Sequence, residues 1–398
     1  MSQTMTNIYN NVSYALHLHT DAIARLQEQA STGSRINRTS DGPSAAYNIL
    51  TLNSQEKSLQ NYMDNLSDVS DTLGLSSTIV GNITSYLSEV KSRLTQVTSG
   101  TYNRQSRETT AEAIDDILKQ IVSLANTQNL NQYIFGGANT ASAPYVIQRT
   151  DGEITSVSYQ GSTDGRDVEV APGLQASAFC VGSDIFGSND RGDTVFMGIT
   201  GAKAGTGTSS VRGDVWLTVI NDGANYKLSI DDGASYVIVP PGGNTNQAVT
   251  DSRTGQVLYV DTTGINNTGV ELVRVPGTYD VFSTLISIRD ILKNKKNLSD
   301  AQLRQLEGSC LSSLDEVRNL LVWDSVSIGS KIGFLDDLKN SLTSMKNNAE
   351  DNVSRLQDAD IAQIAIDLSR RQALYQVSLS VAAKIMSMSL LDFISTSA

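Results

Sequence analysis

Between Leu52 and Val97 an apolar residue recurs every seven positions: Leu52, Leu59, Leu66, Leu73, Val80, Leu87 and Leu94. Three places further on, Tyr62, Val69, Ile83, Val90 and Val97 form a second row, in which only Gln55 and Ser76 are polar. No proline interrupts the stretch, and Gly74 and Gly81 lie off both rows. Two rows at this spacing predict one long helix whose seam faces another helix. Such a helix cannot stand alone, because each leucine left in water forgoes roughly 1.5–3 kcal/mol of burial and helix propensity is too weak to replace it. The partner lies near the other end of the chain, where Leu314, Leu321, Ile328, Leu335, Leu342, Ala349 and Leu356 repeat the same period. Ser299-Asp300-Ala301-Gln302 predicts a capping box upstream of that row. The chain between the two helices is then an insertion in a helical rod.

The chain ends carry shorter rows of their own. Met5, Val12, His19 and Leu26 form one, Tyr9, Leu16, Ile23 and Ala30 the next, and Ile8, Ala15 and Ala22 a third. Gly33 suits a helix C-terminus, a polar connector runs from Ser34 to Gly42, and Pro43 suits a new first turn. The C-terminal end mirrors this: the row ending at Leu356 loses register, and Ile361, Leu368, Tyr375 and Ala382 begin another. Both breaks fall about forty residues from their chain ends, so the terminal helices are expected to pair as a separate module. Their apolar stripes are wider than one partner needs, which marks an interaction surface between subunits. The candidate assembly residues are Ile8, Val12, Leu16, Ile23 and Leu26 on the first helix. On the last they are Ile361, Leu368, Tyr375, Leu379, Val381, Ile385, Met386 and Leu390.

Gly100-Thr101-Tyr102-Asn103 is expected to turn the chain into a shorter helix with Ala111, Ile114, Ile117, Leu118, Ile121, Leu124 and Ala125 on its apolar face. From Tyr133 the period changes from helix to strand. Tyr145–Ile147, Ile154–Tyr159 and Val168–Val170 read as short strands, with Asp151-Gly152 as a hairpin turn. Of the 30 glycines, 22 fall between Gly136 and Gly277, which makes this region loop-rich and β-like rather than helical. Ile220-Asn221-Asp222-Gly223-Ala224-Asn225-Tyr226 returns ten residues later as Ile230-Asp231-Asp232-Gly233-Ala234-Ser235-Tyr236. The repeat predicts a β-meander over 215–239, its acidic turns at the surface, with further strands at 257–260 and 270–275.

The predicted fold is therefore mainly α with inserted β: a coiled-coil rod formed by both chain ends, a small β-hairpin region and an inserted all-β domain. The boundaries read from the sequence are 1–42 with 357–398 for the terminal module, 43–175 with 277–356 for the rod and hairpins, and 176–276 for the outer β domain.

Chemistry-bearing constellations are missing. A net charge of −12 argues against a nucleic-acid partner. No segment has the unbroken apolar length of a membrane span, and the N-terminus lacks a secretory signal's basic and apolar regions. His17 and His19, the two histidines, lie about 200° apart on a helix. Cys180 and Cys310 lie in segments of opposite character and read as unpaired thiols. The Gly205-Thr206-Gly207-Thr208 run has no following lysine, and the Asp-Gly turns lack the distal glutamate of a calcium loop. No enzyme, metal or cofactor is expected.

Gly33-Ser34-Arg35-Ile36-Asn37-Arg38-Thr39-Ser40-Asp41-Gly42-Pro43 resembles the N-terminal signature of the flagellin superfamily, with Gly42 where the family has a second Asp. Tyr133-Ile134-Phe135-Gly136-Gly137-Ala138-Asn139-Thr140 and Ser387-Met388-Ser389-Leu390-Leu391-Asp392-Phe393 are similar to its hook–filament junction branch. The resemblance spans 1–175 and 277–398. It adds Arg35, Ile36, Asn37, Asp41 and Pro43 to the candidate assembly residues, and it implies a structural adaptor outside the cell, exported by the flagellar type III apparatus. The implied partners are further copies of the chain in a ring, the first hook-associated protein, flagellin, and a cytosolic chaperone on the C-terminal helix. A filament flagellin and a surface adhesin on a helical stalk are the competing readings.

Overall fold

The computed structural model describes residues 2–98 and 104–395, leaving out the side chains of 2–6, 8, 9, 98 and 386–395. The turn expected at 100–103 lies outside the described residues. Seven helices run α1 (Ser2–Thr32), α2 (Pro43–Thr98), α3 (Arg104–Ala125), α4 (Gly182–Ile185), α5 (Val281–Leu292), α6 (Asp300–Gln357) and α7 (Ile361–Ser395) among the described residues. Two compact units result, residues 1–64 with 339–398 and residues 65–338.

The heptad rows are what the helices bury. Leu59, Leu66, Leu73, Val80, Leu87 and Leu94 of α2 are at most 3% exposed, and Leu314, Leu321, Ile328, Leu335 and Leu342 of α6 are buried alike. Polar Ser76 sits in the seam because its hydroxyl donates to the Thr72 carbonyl one turn back. The helices run antiparallel: Lys91 Nζ reaches Asp315 Oδ1 at 2.6 Å, and Thr343 Oγ1 lies 3.9 Å from Met63 Sδ. At the start of α6, Ser299 N donates to Gln302 Oε1 (3.1 Å) and Gln302 N donates to Ser299 Oγ (3.4 Å), the capping box read from the sequence.

In residues 65–338 a first group of hairpins comprises β1 (Gln128–Asn129) with β2 (Gln132–Tyr133), β3 (Tyr145–Thr150) with β4 (Glu153–Tyr159), and β5 (Asp167–Ala171) with β6 (Leu174–Ser177). Asp151 (φ 53°) and Gly152 (φ 84°) make the β3–β4 turn, both with the positive φ of a type I′ turn. The Tyr133–Gly137 run is strand only at Tyr133. Beyond it, buried Ile134 and Phe135 enter a tight turn, and Phe135 packs edge-on against Phe186, ring centroids 4.9 Å apart. A Cβ on Gly136 would lie 2.2 Å from the Asn139 carbonyl oxygen, so backbone proximity dictates that glycine.

The inserted region adds β7 (Val195–Met197), β8 (Lys203–Ala204), β9 (Gly213–Asn221), β10 (Tyr226–Ser229), β11 (Val237–Ile238), β12 (Gln247–Thr250), β13 (Val257–Asp261) and β14 (Gly269–Val275). One sheet has the order β11-β10-β9-β14-β7 and another β12-β13-β8, and both contribute to a core that includes Leu217, Leu228, Val249, Leu258 and Val273. The β9–β10–β11 meander matches the repeat.

The second repeat turn keeps Asp232 at the surface, as expected, but departs from that expectation at Asp231. Asp231 is 3% exposed and accepts from Ser235 N (2.9 Å), Ser235 Oγ (2.6 Å), Ser252 N (3.1 Å) and Ser252 Oγ (2.6 Å). Burial alone would raise its pKa, but these donors outweigh it and hold the carboxylate well below the usual range. The second copy is a pinning point, whereas Asn221, the equivalent of Asp231 in the first, is exposed and its side chain accepts only from Gly223 N of its own turn among the described residues.

Helix α5 is a short helix distinct from the long helices of the rod. Asp280 caps it, accepting from Phe282 N (2.9 Å) and Ser283 N (2.8 Å). Its Arg289, fully buried, donates to Asp115 Oδ1 of α3 at 2.6 Å and to Asp290 Oδ1 at 2.9 Å. Arg274 of β14 likewise pairs with Asp214 of β9 at 3.2 Å, and the Tyr279 hydroxyl donates to the same carboxylate at 2.7 Å. Cys180 and Cys310 are both free thiols.

Candidate assembly interface at the terminal helix pair

Helix α1 packs against α7, the last helix of the chain. The two breaks anticipated in the sequence lie side by side and are stitched together. Gly33 takes φ 69° and donates to the Gln29 carbonyl, ending α1 as a left-handed C′ residue. Ser34 then forms an antiparallel bridge with Asp358: Arg35 N donates to the Gln357 carbonyl (2.7 Å) and Ala359 N to the Gly33 carbonyl (3.0 Å).

The signature residues build this junction. The Arg35 guanidinium donates to the Leu356 carbonyl at 2.9 Å, placing a cation at the negative end of α6. Asn37 Nδ2 donates to the Ser34 carbonyl. Asp41 accepts from the amides of Asn37 (3.2 Å) and Arg38 (3.0 Å) and pairs with Arg25 at 2.9 Å. Gly42 accepts from Ala46 N at 2.8 Å, so α2 begins in the turn that Pro43 opens. Ile36 is half-buried and Pro43 exposed. Arg35 and Arg38, both in the polar connector, are engaged, Arg38 with Glu28 at 3.0 Å.

Along the helix pair the candidates divide in two. Val12, Leu16, Ile23 and Leu26 on α1, and Leu368, Tyr375 and Ile385 on α7, are half-buried. Val12 and Leu16 face Leu379, Ala382 and Ile385 across an apolar groove of about 320 Å³. Ile361 (51% exposed) and Val381 (44%) look outward, while Leu379, also 44% exposed, lies at the open side of the groove. The side chains of Ile8, Met386 and Leu390 lie outside the described residues. His19 is half-buried and His17 exposed.

Other outward residues escaped the candidate set: Tyr14 (67%) and Leu18 on α1, and Ile366 (62%), Leu374 and Val377 (58%) on α7. Ile366 and Val377 lie off the Ile361–Leu368–Tyr375–Ala382 row, and Tyr14 and Leu18 fall between the rows of the first helix. Asp367, Arg370 and Arg371 line a more polar recess beside Arg25 and Leu374. Among the described residues no three His, Cys, Asp or Glu side chains are placed to hold a metal, and no helix is long and apolar enough to cross a membrane.

Residues 5–140 match the bacterial flagellin N-terminal helical region. Over 119 residues the chain is 28% identical to flagellar hook-associated protein 3 of Escherichia coli K12, and over 122 residues it is 27% identical to that of Salmonella typhimurium. Either match covers 30% of this chain and 38% of the relative. The crystal structure of hook-associated protein 3 from Legionella pneumophila superposes with a TM-score of 0.53 at 16% identity, over 77% of this chain and 98% of that one. The fold is that of hook-associated protein 3. A crystal form of Xanthomonas campestris FlgL agrees, with a TM-score of 0.51 at 19% identity over 75% of this chain and 98% of that one.

Proposed function

We propose that this chain is a structural adaptor of the bacterial flagellum, joining the hook to the flagellin filament without catalysing a reaction. The observation that carries the reading is the apolar surface of the α1/α7 pair, where Tyr14, Ile366 and Val377 are each more than half exposed. Apolar area of this extent on paired terminal helices is a surface for neighbours. Residues 1–42 with 357–398 act as the assembly module, 43–175 with 277–356 as the supporting helices and hairpins, and 176–276 as the outer domain. The partners are other copies in a ring, the first hook-associated protein on one side and flagellin on the other. Before export by the flagellar type III apparatus, a cytosolic chaperone covers α7. Helix order in the terminal pair then strengthens as neighbours bury its outer face.

The test is a deletion strain complemented with the full chain or with a truncation lacking 361–398, viewed by electron microscopy. The deletion and truncation strains should carry hooks without filaments and release flagellin into the medium, while the full chain restores filaments. A truncated chain that still supports filaments overturns the reading. Long filaments formed by the purified protein alone would move it to a filament flagellin.

A further inference from the structure

The side of α6 turned away from α2 carries a continuous apolar face. At about 100° per residue, Val322, Trp323, Val326, Gly329, Gly333 and Phe334 share one side of the helix, opposite the buried Leu321, Ile328 and Leu335. Val322, Trp323, Val326 and Phe334 are 45%, 73%, 62% and 55% exposed, which leaves on the order of 450 Å² of apolar surface in water. That is more than half of the area, about 800 Å², that one partner buries in a stable interface. Gly329 and Gly333 leave a notch between Val326 and Phe334. A Cβ on either glycine would meet nothing within 4 Å, so packing inside the chain does not call for them. Each nevertheless weakens the helix relative to alanine.

A second apolar feature stands on the other flank of the helix pair. The β1–β2 hairpin turns through Leu130 (φ 49°) and Asn131 (φ 62°). Both have the positive φ of a type I′ turn, which suits Gly, Asn or Asp and strains a leucine. Leu130 is also 91% exposed, so burial within the chain does not offset that strain. It stands over α2, beside Asp68, Asp71 and Thr72 in a cleft of about 460 Å³. Because α2 and α6 are antiparallel and Lys91 pairs with Asp315, α2 residues 68–72 lie level with α6 residues 334–338. The leucine knob is thus level with the Phe334 end of the notch, on the opposite side of the same unit.

We propose that Leu130 of one copy seats in the Gly329/Gly333 notch of the next, between Val326 and Phe334. The occupant is a second copy because one unit supplies both halves of the contact at matching heights. The two patches differ, so the contact is heterologous and runs on from copy to copy instead of closing a pair. It rests on the adaptor reading for the assembly in which copies meet, and it lies apart from the α1/α7 surface that carries that reading.

The first test is the Gly329→Gln/Gly333→Gln variant, which fills the notch with two better helix formers. By circular dichroism the purified variant should melt no lower than the wild type, yet in the deletion strain it should restore filaments to about a tenth as many cells or fewer. The second is a chain carrying Leu130→Cys and Ser330→Cys, oxidised in isolated flagella. It should give a ladder of dimers, trimers and longer species, and either single-cysteine chain should give none. Filaments at the wild-type level from the glycine variant overturn the contact, and so does a lowered melting midpoint, since the notch would then serve the fold. A double-cysteine chain that supports filaments without a ladder, or dimers from Leu130→Cys alone, overturns it equally. If the double-cysteine chain supports no filaments, the glycine variant decides. Should the wild-type chain itself restore no filaments, the adaptor reading falls, and with it the contact that rests on it.

Discussion

In residues 65–338, Leu66, Val80, Ile83, Leu87, Ile114, Leu118 and Leu285 are at most 1% exposed, and even Arg289 is sealed from water. In residues 1–64 with 339–398, the buried apolar side chains among the described residues are Ile49, Leu59, Leu342, Ala349 and Ile364, while Tyr14, Tyr47, Leu50, Ile366 and Val377 are more than half exposed. Charge divides the same way. The terminal unit has ten basic and eleven acidic residues, against twenty and thirty-one in the other. The acidic unit closes its core within itself, and the near-neutral unit leaves apolar area exposed. One face of α6 departs from this rule, with Trp323 (73% exposed), Val326 and Phe334 turned to water.

The contrast is open to attack by substitution. Arg289→Ala strands Asp115 with only Lys119 (2.9 Å) for a partner, and a broken buried pair costs about 3–5 kcal/mol. Urea unfolding should show a loss of that size, and a loss below about 1 kcal/mol would mean that the closed unit is looser than its geometry. Asp231→Asn should cost about 1–3 kcal/mol at pH 7 through lost charge-assisted hydrogen bonds. Because the folded pKa of Asp231 is depressed, its contribution is complete above the unfolded value near 3.9 and fades as pH falls through the folded value. The gap between wild type and variant should therefore narrow, without closing, in melts recorded from about pH 4 toward pH 2.

Asp324 works in the opposite sense. Burial, and then the Asp184 charge, push its pKa up to about 6, so the folded state loses stability as pH rises from about 4 to 6. Its partial exposure limits the effect to the order of 1 kcal/mol. Asp324→Asn should flatten that slope and raise the melting midpoint at pH 7. The smallest change in the isolated chain belongs to the terminal unit: Ile366→Ser with Val377→Ser should alter stability by no more than about 0.5 kcal/mol per site. The same double variant should fail to restore filaments in the deletion strain. If it restores them fully, the exposed stripe is not an assembly surface.

Most of the helical architecture was legible because burial in α2 and α6 follows a period of seven, and a period survives in one dimension. Leu59 to Leu94 and Leu314 to Leu342 could be read from spacing alone. The β-meander was legible through a different signal, a turn motif written twice. The ionic knots left no such mark. Arg289 and Asp115 are 174 residues apart, and only two oddities pointed to them: a lone basic residue in the apolar run Val281–Leu292, and an acid at 115 within the buried face of α3. The depth of Asp231 was hidden because its partner Ser252 comes from outside the repeat. On the terminal pair, the sequence identified stripes but not which part α1 and α7 take for each other, since width alone does not distinguish inner from outer faces.

The bridge between Ser34 and Asp358 means that both polypeptide strands leave helical geometry at one cross-section. Whatever rotation the heptads of α2 and α6 impose need not be inherited by α1 and α7. A mismatch in screw angle between the terminal pair and its surroundings can be absorbed in about a dozen hydrogen-bonded residues instead of winding or unwinding a long helix. A single insertion or deletion in 34–42 would therefore act as a phase error, turning the outer stripe away from its neighbours while every helix stays intact.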